Sequence, residues 1–192
     1  MIAALIARVL ARPAVTDWLI RRAMRTPYTH ITSADGSQVY MRRYWLFNPY
    51  PADSSGNRPW GQFPISIRLH QIMREDDDRD LHDHPWNART FILRGWYVEN
   101  RPSSDEVMAT FREAKPHMSA EWADVTQLLQ VAKRQAGDTA ALRFGEYHRI
   151  TEVSEGGVWT LFVTGRYRGT WGFLVNGKKV PWREYLLAKG ES

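Results

Sequence analysis

Near Ser33 the hydrophobic pattern of this chain changes period, and that change limits what the chain can fold into more than any other feature. From there on, apolar residues come in short bursts with a period of two, too brief for helices of ordinary length. Segment 65–72, ISIRLHQI, is the clearest: Ile65, Ile67 and Leu69 alternate with Ser66, Arg68 and His70, as in a half-buried strand. QVYMRRYWLF at 38–47 is dense in β-branched and aromatic residues, which suit a pleated surface. Further strands are predicted at 89–99, 138–144, 157–166 and 171–175. ADGS at 34–37 reads as a turn, and NPYPADSSGNRPWGQFP at 48–64 as a loop rich in Pro, Gly and Ser. Strands separated by turn chemistry predict an antiparallel sandwich or barrel. Residues 101–135 are ambiguous: SAEWADVTQLLQVAKRQAG, which begins at Ser119, fits neither period and stays open between a helix from about Ser119 and a loop entering a strand. The C-terminal RYRGTWGFLVNGKKVPWREYLL predicts a strand, an Asn176-Gly177 turn and a short closing helix or strand, with Trp171, Trp182 and Tyr185 as a cover.

The N-terminal segment MIAALIARVLARPAVTDWLIRRAMRTP is different in kind. Two short helices are expected, at roughly 2–11 and 14–25, broken at Pro13 and packed on the remainder as a helical appendage over residues 1–30. Its apolar decamer is interrupted by Arg8, so it is too short and too charged for a membrane span, and no basic n-region precedes it. The formal charge of +5 is concentrated here: residues 1–25 carry five arginines against Asp17, leaving about +1 elsewhere. With no zinc-finger spacing, RNP-like motif or long basic run, specific nucleic-acid binding is not expected. The 192 residues suit one domain, and nine tryptophans favour an aromatic core or ligand cleft. The absence of cysteine excludes disulfides, thiolate metal sites and a cysteine nucleophile, and it is compatible with a cytoplasmic location.

Two of the six histidines stand two residues apart, His82 and His84, and residues i and i+2 of a strand share a face. Both imidazoles can therefore point at one ion, and neutral imidazole is a good ligand for Fe, Mn, Ni, Cu or Zn. Asp83 then points the other way, while Asp80 or Asp83 could orient an imidazole through its ring N–H. Otherwise the acidic run Glu75 to Asp80 reads as a solvated loop.

The surrounding spacing resembles the cupin family. In its first motif, G(X)5HXH(X)3-4E(X)6G, His82, His84 and Gly95 fall in place, and in its second, G(X)5PXG(X)2H(X)3N, Gly137, Gly145 and His148 do. Asp76 stands in the first glycine slot, Ala88 in the glutamate slot, Arg143 in the proline slot and Glu152 in the asparagine slot. The resemblance covers about Ile65 to Tyr167. It implies a mainly β fold, a single-domain cupin-type antiparallel β-barrel or jelly roll over residues 31–192, with the short N-terminal helices added. It further implies a divalent transition metal at His82, His84 and His148, Fe(II) first and Mn, Ni or Zn as alternatives. The three-histidine set resembles that of cupin dioxygenases, which points to an oxidoreductase acting on a small molecule. A cysteine–tyrosine crosslink of the thiol-dioxygenase kind cannot form. No histidine has an acid two residues on, which disfavours 2-oxoglutarate oxygenases. A non-redox isomerase or epimerase and a non-catalytic small-molecule-binding cupin are the alternatives. His70, Arg143 and Tyr147 are the expected substrate-side residues, with Tyr97 beside them; His30 and His117 have no motif context. A homodimer is left open.

Overall fold

The structure, a computed structural model, describes residues 1–33, 36–49, 63–78, 80–102, 129–175 and 178–189. The alternation at 65–72 forms strand β3 (Ser66–Ile72), and most of its residues on both faces are buried. Around it runs an antiparallel sheet in the spatial order β1 (Pro27–Thr32), β2 (Val39–Phe47), β3, β9 (Val158–Thr164), β4 (Ala88–Arg94) and β7 (Thr139–Leu142). A second antiparallel sheet has the order β6 (Leu129–Gln135), β5 (Trp96–Pro102), β8 (Arg149–Val153). A ribbon of β10 (Gly172–Val175) and β11 (Lys178–Pro181) leads into helix α3 (Trp182–Ala188).

The expected strand 89–99 is two strands, because the chain changes sheets at Gly95. There φ is +78°, and a Cβ would stand 2.6 Å from Ser154 Oγ and 2.7 Å from the Gly157 carbonyl oxygen. Only glycine takes that conformation in that space at low cost. Apolar residues of the facing sheets, Ile72, Ile92 and Val158 against Tyr97 and Ile150, form one core cluster.

The opposite face of the larger sheet is covered by helices α1 (Ile2–Leu10) and α2 (Pro13–Ala23), each ending slightly earlier than expected. Ala7, Leu19 and Ala23 pack against Tyr44, Leu69, Phe91, Leu93 and Leu161. An ion pair between Arg94 and Asp17 and a 2.8 Å bond from Thr16 Oγ1 to the Leu10 carbonyl fix the hairpin. The N-terminal helices thus pack on the main body, as expected.

The antiparallel, mainly β class and the facing sheets of a jelly roll hold. The sheets do not close into one continuous barrel: among the described residues, no ladder joins their edges at β1, β7, β6 and β8. Strands β1 and β8 were not anticipated, and β1 straddles the expected 30/31 division. Of the open segment, 129–135 is a strand, while 103–128, including His117, lies outside the described residues, as do Asn176, Gly177 and most of 48–64. β10 and β11 pair from Val175↔Lys178 outward.

Candidate metal centre

His82 and His84 do not lie on a full strand. His82 forms a single antiparallel bridge to His148, with N–H donating to carbonyl in both directions at 2.9 Å, and another to Phe173. Leu174 N–H donates to Leu81 O at 2.8 Å, and Asp83 N–H to Gly172 O at 3.0 Å. These bonds pin 81–83 in extended form between the start of β8 and β10, so the i, i+2 rule survives without a strand. Asp83 points away from the imidazoles, where its carboxylate accepts from Gly172 N at 2.8 Å and Lys179 Nζ at 2.5 Å.

The result is a cluster of three imidazoles. One ring nitrogen from each of His82, His84 and His148 lies within 4.8 Å of the other two, and the Nε2 atoms of His84 and His148 are 2.9 Å apart. Nitrogens bound at 2.0–2.1 Å to one tetrahedral ion stand about 3.4 Å from each other, inside this range. Burial pushes the His82 imidazole down to about 4, with His148 adding to the effect and Asp76 opposing it. Burial, then His148 and His82, hold His84 well below its usual range. His82 and His84 therefore stay neutral, with a lone pair to offer. The donor set fits a divalent transition metal.

Two carboxylates stand behind the rings. Asp76 Oδ2 is 3.7 Å from His82 Nδ1 and Glu99 Oε2 is 3.5 Å from His148 Nδ1, both longer than an ordinary hydrogen bond, and His148 Nδ1 has no hydrogen-bond partner. Glu99 is fully buried and is held by Arg134 Nε at 2.8 Å and an Arg101 guanidinium nitrogen at 3.1 Å. Burial alone would raise its carboxyl; His148, Arg101 and Arg134 outweigh that and hold it at about 2. Asp76 accepts from Ile150 N at 2.8 Å and from the Tyr40 hydroxyl. This corrects the reading of 75–80 as a solvated loop. Asp76 is buried, Asp77 pairs with Arg74, Asp78 with Lys189 at 2.5 Å, and Asp80 accepts from the Tyr185 hydroxyl at 2.8 Å. Separate partners relieve the repulsion that a bare acidic run would carry. It also corrects which acid stands behind His82, since Asp80 and Asp83 are engaged elsewhere.

The cluster forms part of the wall of a cavity of about 350 Å³ between the sheets. Along β3, Arg68, His70 and Ile72 face this cavity, while Leu69 faces the helices. His70 is buried against the Phe162 ring, centroids 5.0 Å apart, and its Nε2 has no hydrogen-bond partner. Burial, then Arg68 and Arg43, push its imidazole well down. The Arg68 guanidinium lies 5.2 Å from the Trp86 ring and 5.5 Å from the Phe162 ring. Tyr97 and Thr90 also line the space, and Ala88, two residues before Thr90, shares its face of β4. At another part of the wall, Trp171 stacks on Trp182 at 5.6 Å and Phe173 on Tyr185 at 3.9 Å.

Not every expected residue arrives here. The Arg143 side chain is 81% exposed and stands 3.8 Å from Glu146, and Tyr147 is buried but does not line the cavity. The cavity is lined instead by Arg68, whose side chain alternation on β3 turns inward, and by Arg43. His30 is outside the site, accepting Arg43 N–H at 3.1 Å. Glu99, Asp76, Arg68, Trp86 and Phe162 were missed. For Glu99 a signal existed: it sits two residues after Tyr97 on the same strand and so shares its inward face.

No family model and no curated protein sequence matches the chain. Among solved structures it is similar to Bacillus subtilis oxalate decarboxylase, a protein with Mn(II) centres, at 14% identity and a TM-score of 0.48 over 86% of this chain and 32% of that one. It is also similar to a Ralstonia eutropha protein assigned as a mannose-6-phosphate isomerase, at 11% identity and a TM-score of 0.37 over 54% of this chain and 75% of that one. The chain thus spans about a third of the length of the oxalate decarboxylase. The functional reading rests on the imidazole cluster and the cavity.

Proposed function

We propose that this chain is a metal-dependent enzyme acting on a small molecule, with His82, His84 and His148 holding one divalent transition metal. Fe(II) is favoured over Mn, Ni and Zn, and dioxygenase-type oxidation is the favoured reaction. The observation that carries this reading is the convergence of three imidazole nitrogens within 4.8 Å on the wall of a cavity of about 350 Å³. Such a set of imidazole nitrogen donors suits a redox-active ion that keeps positions open. When bound, that ion supplies a Lewis-acid and redox centre at which a substrate and dioxygen can meet.

The protein's own contribution is positioning. Asp76 and Glu99 stand behind the rings of His82 and His148 at 3.7 and 3.5 Å, where a small approach lets a carboxylate orient a metal-binding histidine. His70 offers a buried ring nitrogen to the substrate, and Arg68 offers a charge framed by aromatic faces that limits the groups it can meet. Trp86, Phe162 and Trp171 keep the space apolar and exclude water. A non-redox isomerase or epimerase is the second reading, favoured by the presence of His70 and Tyr97, two groups able to carry a proton, on the same cavity wall.

The test is metal analysis of untagged protein, anaerobic titration with Fe(II), and oxygen uptake against a panel of small molecules. One equivalent of metal and uptake matched to substrate loss are expected. Substrate rearrangement without oxygen uptake would select the isomerase reading. If the metals bind wild type no better than a His82→Ala/His148→Ala double variant, the metalloenzyme reading fails, and the cavity is that of a non-catalytic binding protein.

A further inference from the structure

Helix α1 has two apolar faces. Ala7 and Leu10 pack inward on the larger sheet, whereas Ile2, Leu5, Ile6 and Val9 form an outward stripe at i, i+3, i+4 and i+7. The outward residues are exposed by 78% at Ile2, 65% at Leu5 and 41% at Val9. On α2 the outward face carries Trp18, 59% exposed, with Arg21 and Arg22 at i+3 and i+4 after it and Arg25 exposed just beyond the helix. Both helices pack on one face of the larger sheet, so both outward faces look away from it. The cavity opens on the sheet's other face.

We propose that the α1–α2 hairpin docks the protein on an anionic lipid surface, its aliphatic stripe and Trp18 entering the headgroup region and its arginines meeting the phosphates. The composition favours lipid. Aliphatic residues, an exposed indole and flanking arginines are what an interfacial helix presents. The charge favours it too: five arginines lie within residues 1–25, and the single acid there, Asp17, is taken by Arg94. A second copy of this chain would oppose Arg21 and Arg22 with their like, which disfavours self-association through this face. Among the described residues no helix is long and apolar enough to cross a membrane, so the attachment is peripheral. Each arginine brought to an anionic surface strengthens binding about fivefold, so attachment depends on lipid charge and on salt.

The test is flotation of the full chain with vesicles of phosphatidylcholine alone and of phosphatidylcholine with about a third phosphatidylglycerol, at low and high salt. Wild type is expected to float with the anionic vesicles at low salt only. Leu5→Glu/Val9→Glu and Arg21→Glu/Arg22→Glu should each reduce flotation more than about tenfold. All four side chains are exposed, so the thermal midpoint should stay near wild type, and metal content provides a second check of the fold. Absence of flotation with either vesicle, or equal flotation by the variants, overturns the proposal. So does a dimer in sedimentation velocity that Leu5→Glu/Val9→Glu dissolves, which would assign the face to a second copy. Binding of a polyglutamate peptide without flotation would assign it to an acidic protein, and overturns it as well.

Discussion

The two faces of the larger sheet are built from alternate residues of the same strands, yet they differ in almost every respect. Toward the helices stand Tyr44, Leu69, Phe91, Leu93 and Leu161, an apolar layer with little chemistry to offer. Toward the second sheet stand Arg68, His70, Thr90 and Thr160 beside Phe162, Ile72, Ile92 and Val158, a layer that is no less buried but mixes polar with apolar side chains. In an ordinary two-layer protein the polar members of such an alternation face water. Here the appended helices cover the apolar face, the second sheet covers the mixed one, and the polar side chains line a cavity. Covering both faces turns a solvation pattern into a lined cavity.

That comparison predicts a separation of effects. Replacing His82, His84 or His148 by alanine should remove most bound metal, read by elemental analysis, because each loss takes one of three ligands. Leu69→Ala should do the reverse: a destabilisation of about 2–5 kcal/mol in denaturant unfolding, with metal stoichiometry retained. If Leu69→Ala emptied the metal site, the two faces would not be independent and the comparison would break. Glu99→Gln keeps the shape behind His148 but removes the charge, and should weaken metal affinity about 10 to 100-fold by titration. An unchanged affinity would reduce Glu99 to a partner of Arg101 and Arg134 alone.

The smallest effect expected is one of pH on the metal-free protein. Folded His82 titrates near 4, below the usual imidazole value near 6.5, so below about 6.5 the unfolded chain binds the extra proton more readily. Glu99, held at about 2, acts in the same sense at lower pH. Stability should be greatest above about 6.5 and fall as pH drops toward 4, and His82→Gln should flatten the first part of that fall. A thermal midpoint that rises on acidification would contradict the buried, neutral state of the ring.

Much of this was legible in the sequence, and the reasons it stopped short are local. The alternation in 65–72 gave β3, and the spacing of His82, His84 and His148 gave the cluster, because a period of two and a motif survive without tertiary knowledge. The break at Gly95 stayed hidden because the reason for it, the approach of Ser154 and Gly157, comes from about sixty residues away in the chain. Asp76 was hidden for the same kind of reason: two other strands, β8 through Ile150 and β2 through Tyr40, draw one acid out of an acidic run. Arg143 was misplaced because a motif slot fixes backbone position and not where a long side chain goes. Strand β1 was masked by its position directly after two helices.

The pairing of β3 with β9 has a kinetic consequence. Ser66 lies opposite Thr164, 98 positions further along the chain, and β4 is joined to β3 only through β9. Contacts so distant along the chain are formed slowly, since loop-closure entropy is spent before they reward it. The imidazoles lie within the loop that this pairing closes, and His82 and His148 meet through a further non-local contact, their own backbone bridge. An ion that needs all three gains its full set of ligands only once that contact has formed. It acts afterwards, as a latch that slows unfolding while leaving the folding rate unchanged.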